Sequence, residues 1–145
     1  MERKVKHTLG ELIDLLTIAE MKHAKIPEHK AEYAEHIEDL VHDINLLLPK
    51  PSPITAEFLR DVILLAQFNA HIWYNEGDIR NLIKDDKDLT DKELIMIARK
   101  LILTHSINGI RNTAKNRATK VIGGRLDYKI DSLASSAEHW RPAGY

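Results

Sequence analysis

The sequence predicts an all-α, single-domain protein built as a mostly antiparallel four-helix bundle. Three observations predict it. Apolar residues recur at steps of three and four through four long stretches, which is the spacing of a helix face buried against other helices. No stretch of useful length alternates as a β-strand does. Two capping-box patterns and a proline-rich break divide the stretches from one another.

Composition sets the broad class and excludes several kinds of chemistry. With 145 residues, 30% of them charged and 43% hydrophobic, the chain can bury one real core. It contains no cysteine, which excludes disulfides, thiolate metal ligands and cysteine nucleophiles. No apolar run reaches the roughly 18 residues of a membrane span, and the opening residues do not resemble a secretion signal. We therefore expect a cytoplasmic location and no membrane partner.

The first two helices are bounded by clear signals. The capping box Thr8-Leu9-Gly10-Glu11 predicts a first helix that runs to about Lys25. Pro27 suits the first turn of a second helix, which ends at the proline-rich segment 49–53. The residues expected to be buried are Leu9, Leu12, Ile13, Leu16 and Ala19 on the first helix, and Ala34, Ile37, Val41, Ile44 and Leu48 on the second.

The third helix, predicted over residues 58–84 with Thr55 as its N-cap, organises the chain. Its apolar seam consists of Phe58, Val62, Leu65, Ile72, Ile79 and Ile83. Asn69 and Glu76 fall on the same seam, and Trp73 and Arg80 lie beside it. Burying an amide or a carboxylate costs about 1–3 kcal/mol unless a partner satisfies it. We therefore expect both polar side chains to face other helices or to line a pocket.

The fourth helix follows the capping box Thr90-Asp91-Lys92-Glu93 and ends at Gly123-Gly124. Helical spacing continues through Leu94, Ala98, Leu101, Leu103, Ile107, Ile110, Ala114, Ala118 and Val121. We expect the bundle to cover residues 1–124 and an irregular or short-helical tail to cover residues 125–145. Broad apolar stripes and an aromatic tail together predict a homo-oligomer.

Three blocks resemble those of an uncharacterised family of small helical proteins, often encoded beside glycosyltransferases. The first is Thr8-Leu9-Gly10-Glu11-Leu12-Ile13-Asp14, the second runs from Asn69 through Trp73 and Glu76 to Arg80, and the third is Asn108-Gly109-Ile110-Arg111 with Lys115 one turn later. Gly77 and Gly109 stand where that family usually has aspartate. The resemblance implies a helical fold and a set of polar positions, without an established activity.

The polar positions favour a ligand pocket between helices as the first hypothesis. Its walls would be formed by Asn69, Trp73, Glu76, Arg80, Asn108, Arg111 and Lys115, and its ligand would be an anionic metabolite such as a nucleotide or sugar nucleotide. Glu76 would orient the ligand, and Arg80 and Arg111 would form ion pairs with its anionic groups. The alternative is a structural interaction protein, in which Glu76, Arg80 and Arg111 form an ion-pair network that fixes helix register.

Metal chemistry is a further alternative, although no cofactor is the default expectation. Glu11, Asp14 and Glu76 could hold Mg²⁺ as in the all-α nucleoside triphosphate pyrophosphohydrolases. Glu20-x-x-His23 matches one half of a di-iron site, and Asp39-x-x-His42 only approximates the other half. Another candidate set, for zinc, consists of His29, Glu32 and His36. Because eight histidines produce such spacings by chance, surface histidines are the simpler interpretation.

Positive charge concentrates near the end of the fourth helix, in Arg111, Lys115, Arg117, Lys120, Arg125 and Lys129. That cluster could hold the phosphates of a nucleotide or a nucleic acid. Net charge is −1, however, and only Tyr128 supplies an aromatic ring among the cations. Contact with the acidic second helix would explain the same residues. Nucleic-acid binding is therefore not expected.

Overall fold

The computed structural model describes residues 6–52, 54–84 and 88–126, and it confirms an all-α four-helix bundle. The four helices are α1 (Leu9–Lys25), α2 (Lys30–Leu47), α3 (Ala56–Ile83) and α4 (Asp91–Lys120), with a 3-10 turn at Pro27–His29 before α2. Within these residues there is no β-strand. The predicted tail lies outside the described residues from position 127 onward.

The helices begin where the capping signals predict. Thr8 and Thr90 each accept a hydrogen bond from the backbone of the glutamate three residues later, and that glutamate accepts one from the threonine backbone. Thr55 caps α3 by accepting a hydrogen bond from the amide of Phe58. Such caps satisfy amides that have no partner inside the helix and contribute about 1 kcal/mol each.

Helix α1 is the central element of the described structure. It packs against α2 along one side and against the α3–α4 hairpin along the other. Asp14 pairs with Arg111, and Gly10 lies against Thr119, so α1 and α4 are antiparallel. The same α1 is parallel to α3, because Asn69 contacts its middle and Tyr74 contacts its last residue, Lys25.

The core follows this arrangement. One cluster joins α1, α3 and α4, and consists of Leu9, Ile13, Phe58, Leu65, Ala114 and Ala118. A second joins α1 to α2 through Leu12, Ala19 and Leu40. A third lies inside the hairpin and consists of Phe68, Ile107 and Ile110. The predicted stripe of α1 is thus buried except at Leu16, which is half-buried. Val41 on α2 is exposed because α2 packs chiefly against α1.

The α3–α4 hairpin extends beyond α1. Helix α1 ends at the level of Tyr74, and α3 continues for nine more residues, or about 14 Å. Three cross-helix contacts fix the hairpin's antiparallel register: Asp61 with Arg117, Asn69 with Arg111, and Asp78 with Lys100. We call residues 75–84 and 91–103 the hairpin tip.

Gly10 allows α1 to approach α4 closely. Its amide donates a hydrogen bond to Thr119 Oγ1 at 3.0 Å, and a Cβ at this position would lie 2.6 Å from that oxygen and against the carbonyl of Lys115. The backbone carbonyl cannot move aside without shifting α4. Gly77, in contrast, lies at an open position of α3, where an added Cβ would meet no other part of the described chain within 4 Å.

We expect Gly10→Ala to destabilise the protein by about 1–3 kcal/mol through overpacking. The same substitution at Gly77 should stabilise it by up to about 1 kcal/mol, because alanine favours an open helix position. Urea unfolding followed by circular dichroism measures both values. Equal effects of the two substitutions would contradict the close α1–α4 approach.

Candidate functional site

Asn69 lies at the centre of a polar network that joins three helices. Its Nδ2 donates to Asp14 Oδ1 and to Thr17 Oγ1, both on α1 and both at 2.8 Å. Its Oδ1 accepts a hydrogen bond of 2.9 Å from Arg111 Nη1 on α4. The amide is 3% exposed. The prediction that Asn69 faces neighbouring helices is therefore confirmed.

Asp14 and Arg111 complete this network. Arg111 Nε lies 3.8 Å from Asp14 Oδ1, an ion pair that brings opposite charges from α1 and α4 together. Asp14 is buried, whereas 23% of the Arg111 side chain remains exposed. Thr17 Oγ1 donates to the Asp14 carbonyl at 2.9 Å and accepts from Asn69. The network satisfies its own buried groups, as a structural polar cluster must.

Glu76 is not part of this network, and the prediction of its burial is wrong. Its side chain is 51% exposed and pairs with Arg80, itself 59% exposed, at 3.3 Å. Phe58 lies five full helical turns earlier on the same side of α3 and is buried. The difference is that α1 covers this side of α3 at Phe58 but has ended before Glu76. The expected Glu76–Arg80–Arg111 ion-pair network is therefore not formed.

The structure brings together only part of the predicted pocket. Asn69 and Arg111 are in contact, while Glu76 and Arg80 pair separately, about 10 Å further along α3. The other three predicted residues, Trp73, Asn108 and Lys115, are half-buried. The seven side chains thus do not all converge on one cleft.

Two buried polar residues of α3 were not predicted. Asp61 is 5% exposed and accepts hydrogen bonds from Arg117 Nε at 2.9 and 3.1 Å, as well as one from Nη2. Asn75 is also 5% exposed, and its Nδ2 has no hydrogen-bond partner among the described residues. Both lie seven residues from Phe68, close to two helical turns, and so on the side that faces α4. This seven-residue spacing from Phe68 is the signal in the sequence from which the burial of both residues could have been predicted.

The three carboxylates proposed for Mg²⁺ have separate roles. Glu11 accepts hydrogen bonds from the Thr8 amide and from Arg125, Asp14 belongs to the Asn69 network, and Glu76 pairs with Arg80. In residues 6–52, 54–84 and 88–126, no group of three or more histidine or acidic side chains is placed to hold a metal ion. The sets containing Glu20 and His23, or His29, Glu32 and His36, are thus not assembled in that part of the chain.

The electrostatics of Glu11 follow from its capping role. Partial burial is the largest single influence and acts to raise the pKa of Glu11, whereas hydrogen bonds from the Thr8 backbone and hydroxyl act to lower this pKa. The charges of Arg125 and His7 act in the same direction, and the net pKa is lowered. The carboxylate therefore stays ionised at neutral pH, as its helix-capping contact requires. Its contribution to stability is lost only as the pH falls through that lowered pKa.

The positive residues near the end of α4 are largely paired within the fold. Arg111 contacts Asp14, Arg117 contacts Asp61, and Arg125 donates to Glu11 at 3.1 Å. Their acidic partners come from α1 and α3, whereas the sequence suggests the acidic α2. Lys129 lies outside the described residues.

Comparison with protein-family models, with curated proteins and with solved structures finds no match for this chain. The resemblance to small helical proteins encoded beside glycosyltransferases therefore stays a prediction. In the described part of the chain, no helix is both long enough and apolar enough to span a membrane.

We expect Asn69→Ala to cost about 2–3 kcal/mol of stability, because it removes two donors from buried oxygens and one acceptor from Arg111. Glu76→Ala should change stability by less than about 0.5 kcal/mol, since it breaks only an exposed ion pair. Denaturant unfolding of both variants provides the measurement. A larger loss at Glu76 than at Asn69 would contradict the assignment of the network.

Proposed function

We propose that this protein is a helical interaction module, which joins protein chains through apolar surface on the hairpin tip. Its central polar network serves to hold α1, α3 and α4 in register. The observation that carries the proposal is a stripe of exposed apolar side chains on the first half of α4. We call it the tip stripe, and it consists of Leu94, Ile95, Ala98, Leu101 and Ile102.

The tip stripe is contiguous. Its residues fall at steps of three and four, so they cover about one third of the helix circumference over about two and a half turns. The four large side chains are each about half exposed, with Ile102 at 58%. Scattered exposed leucines are normal on a protein surface, but a contiguous apolar patch is typical of an interaction site. Covering it with another apolar surface releases about 25 cal/mol for each Å² removed from water.

The polar interior is consistent with the same function, because its main charged and amide groups are paired with one another. Asn69, Asp14 and Arg111 satisfy one another, and Asp61 is held by Arg117. These groups have structural partners, whereas the tip stripe is the longest run of exposed apolar side chains along one helix face of the described residues.

We expect Ile102→Lys to abolish partner binding while leaving the fold intact, because a charge inside the apolar contact must be desolvated. The immobilised full-length protein is exposed to an extract of its source cells, and the bound proteins are identified by mass spectrometry. A protein that binds the wild type should be lost with Ile102→Lys.

Ile63→Lys is the matched control. Ile63 has nearly the same exposure, 60%, but it lies on α3 on a side turned away from α4. The same proteins should bind this variant as bind the wild type. Identical binding by wild type and Ile102→Lys would contradict the proposed function.

Binding of an anionic metabolite is a second candidate function, favoured by the position of Arg111. Its side chain remains partly exposed at the edge of the network, and Lys115 lies one turn further along α4. A phosphate of a nucleotide or sugar nucleotide could contact both cations from the solvent side.

If such a ligand binds, saturation at about 100 times its Kd should add about 2.7 kcal/mol and raise the melting temperature by several degrees. Lys115→Ala should remove the shift, while Lys120→Ala, at an exposed position of the same helix, should keep it. Thermal melting with a panel of nucleotides and sugar nucleotides measures this. A shift that requires Mg²⁺ would favour the pyrophosphohydrolase alternative, and no shift would exclude the tested ligands.

A further inference from the structure

The apolar pattern of α4 contains two faces that point in opposite directions. Ile107 and Ala114 are buried against α3. Ala98 lies nine residues before Ile107, which is two and a half helical turns, so its side chain leaves the opposite side of the helix. The sequence repeat therefore does not form one seam. Its first part, the tip stripe, is left unpacked by the described fold.

The tip stripe is symmetric about Ala98. Its large residues lie at three and four positions before Ala98, Ile95 and Leu94, and at three and four positions after it, Leu101 and Ile102. If two copies of α4 cross antiparallel with Ala98 on the two-fold axis, Leu94 faces the other copy's Ile102 and Ile95 faces its Leu101. A stripe with this spacing is therefore complementary to itself, which a two-fold interface requires.

Polar residues further along the same face of α4, and the small size of Ala98, also favour antiparallel pairing. Seven residues from Ala98 on either side, two turns away, the same face carries Asp91 and His105, both exposed. Antiparallel pairing places each aspartate opposite an imidazole of the other copy, which can donate a hydrogen bond to it. In parallel pairing, each aspartate would face an aspartate. Alanine at the crossing point permits a closer approach of the two helix axes than a larger side chain would, at about 10 Å, near the upper part of the roughly 8–10 Å range of packed helices.

A groove beside the tip stripe widens the available apolar surface. It encloses about 720 Å³ between the end of α3 and the start of α4, and Leu82, Ile95 and Met96 contribute to its lining. Ile95 belongs to both the groove and the stripe. Two helices that pack over about two and a half turns bury a modest area, and side chains of the other copy that enter the groove increase the buried area.

We propose that the partner of this surface is a second copy of the same chain, which forms a two-fold dimer by antiparallel packing of α4 against α4 at Ala98. This inference rests on the proposed function, since it names the occupant of the same surface. A contact of about two and a half turns from each of two helices lies at the small end of specific interfaces, which bury about 1,200–2,000 Å² in total. The dimer should therefore form in the micromolar concentration range.

Sedimentation of the full-length protein from about 1 µM to about 500 µM tests association. The wild type should show a monomer–dimer equilibrium, and Ile102→Lys should weaken it at least about tenfold. Ile63→Lys should leave it unchanged. Asp91→Lys should weaken it, and adding His105→Glu should restore it, because the lysine of one copy then faces the glutamate of the other.

The absence of cysteine from the chain permits a direct test of the geometry. Ala98→Cys should form a disulfide-linked dimer under mild oxidation, because the two-fold axis brings the two sulfurs together. Ile102→Cys alone should not, since its two copies lie about 12 Å apart along the helices. A mixture of Leu94→Cys and Ile102→Cys should cross-link, and Ile63→Cys should stay monomeric.

The outcomes separate this inference from the proposed function. A dimer in which Ile102→Cys cross-links to itself and Ala98→Cys does not would overturn the antiparallel pairing. A dimer lost with Ile63→Lys but kept with Ile102→Lys would overturn the assigned surface. A wild type that remains monomeric, yet binds another protein through Ile102, would overturn self-association and leave the interaction module standing. A monomer that also binds no protein through Ile102 would overturn both.

Discussion

The hydrogen bonds of Asn69 are the constraint on which the rest of the structure depends. One amide donates to α1 and accepts from α4, so a single side chain fixes how both helices lie against α3. Apolar contacts alone tolerate sliding, because leucine against leucine is nearly as favourable one turn further along. Buried hydrogen bonds do not tolerate sliding, since a shift of α3 would separate Asn69 from both Asp14 and Arg111 and leave its buried amide unpaired. The core supplies most of the stability, and the network selects the register.

The length of α1 is the second constraint, and it follows from that register. With Asn69 held at the middle of α1, the helix reaches only to Tyr74, and α3 continues without it. Beyond that level α3 has α4 on one side, so only residues facing α4, such as Asn75, are covered. The same geometry exposes Glu76 and leaves the outer face of α4 open. A carboxylate exposed there is hydrated and costs no free energy. Burying the exposed stripe of leucine and isoleucine against another surface, in contrast, would release further free energy.

Periodicity and capping residues predicted the helices and the central amide, because both are local or nearly local properties. Thr8, Thr55 and Thr90 cap helices through backbone groups three residues away, and Asn69 interrupts an apolar seam. The burial of Glu76 could not be predicted in this way. Asn69 and Glu76 lie on one seam, but which neighbouring helix still covers that seam depends on where α1 ends. The sequence also indicated the burial of Asp61, because Asp61 falls between Phe58 and Leu65 at helical spacing. The same pattern, however, also fits a charged residue at the solvent-exposed edge of an apolar stripe.

The distribution of charge and apolar surface argues for assembly over recognition of an anion. Asp61 is buried, and a carboxylate taken out of water requires a close cation, which Arg117 provides through two nitrogens. Arg111 and Arg125 are likewise each held by an acidic side chain of α1. An incoming phosphate would have to compete with these carboxylates for the same guanidinium groups. The tip stripe faces no such competitor from the described helices, so its burial against another chain gains free energy without first breaking an existing contact.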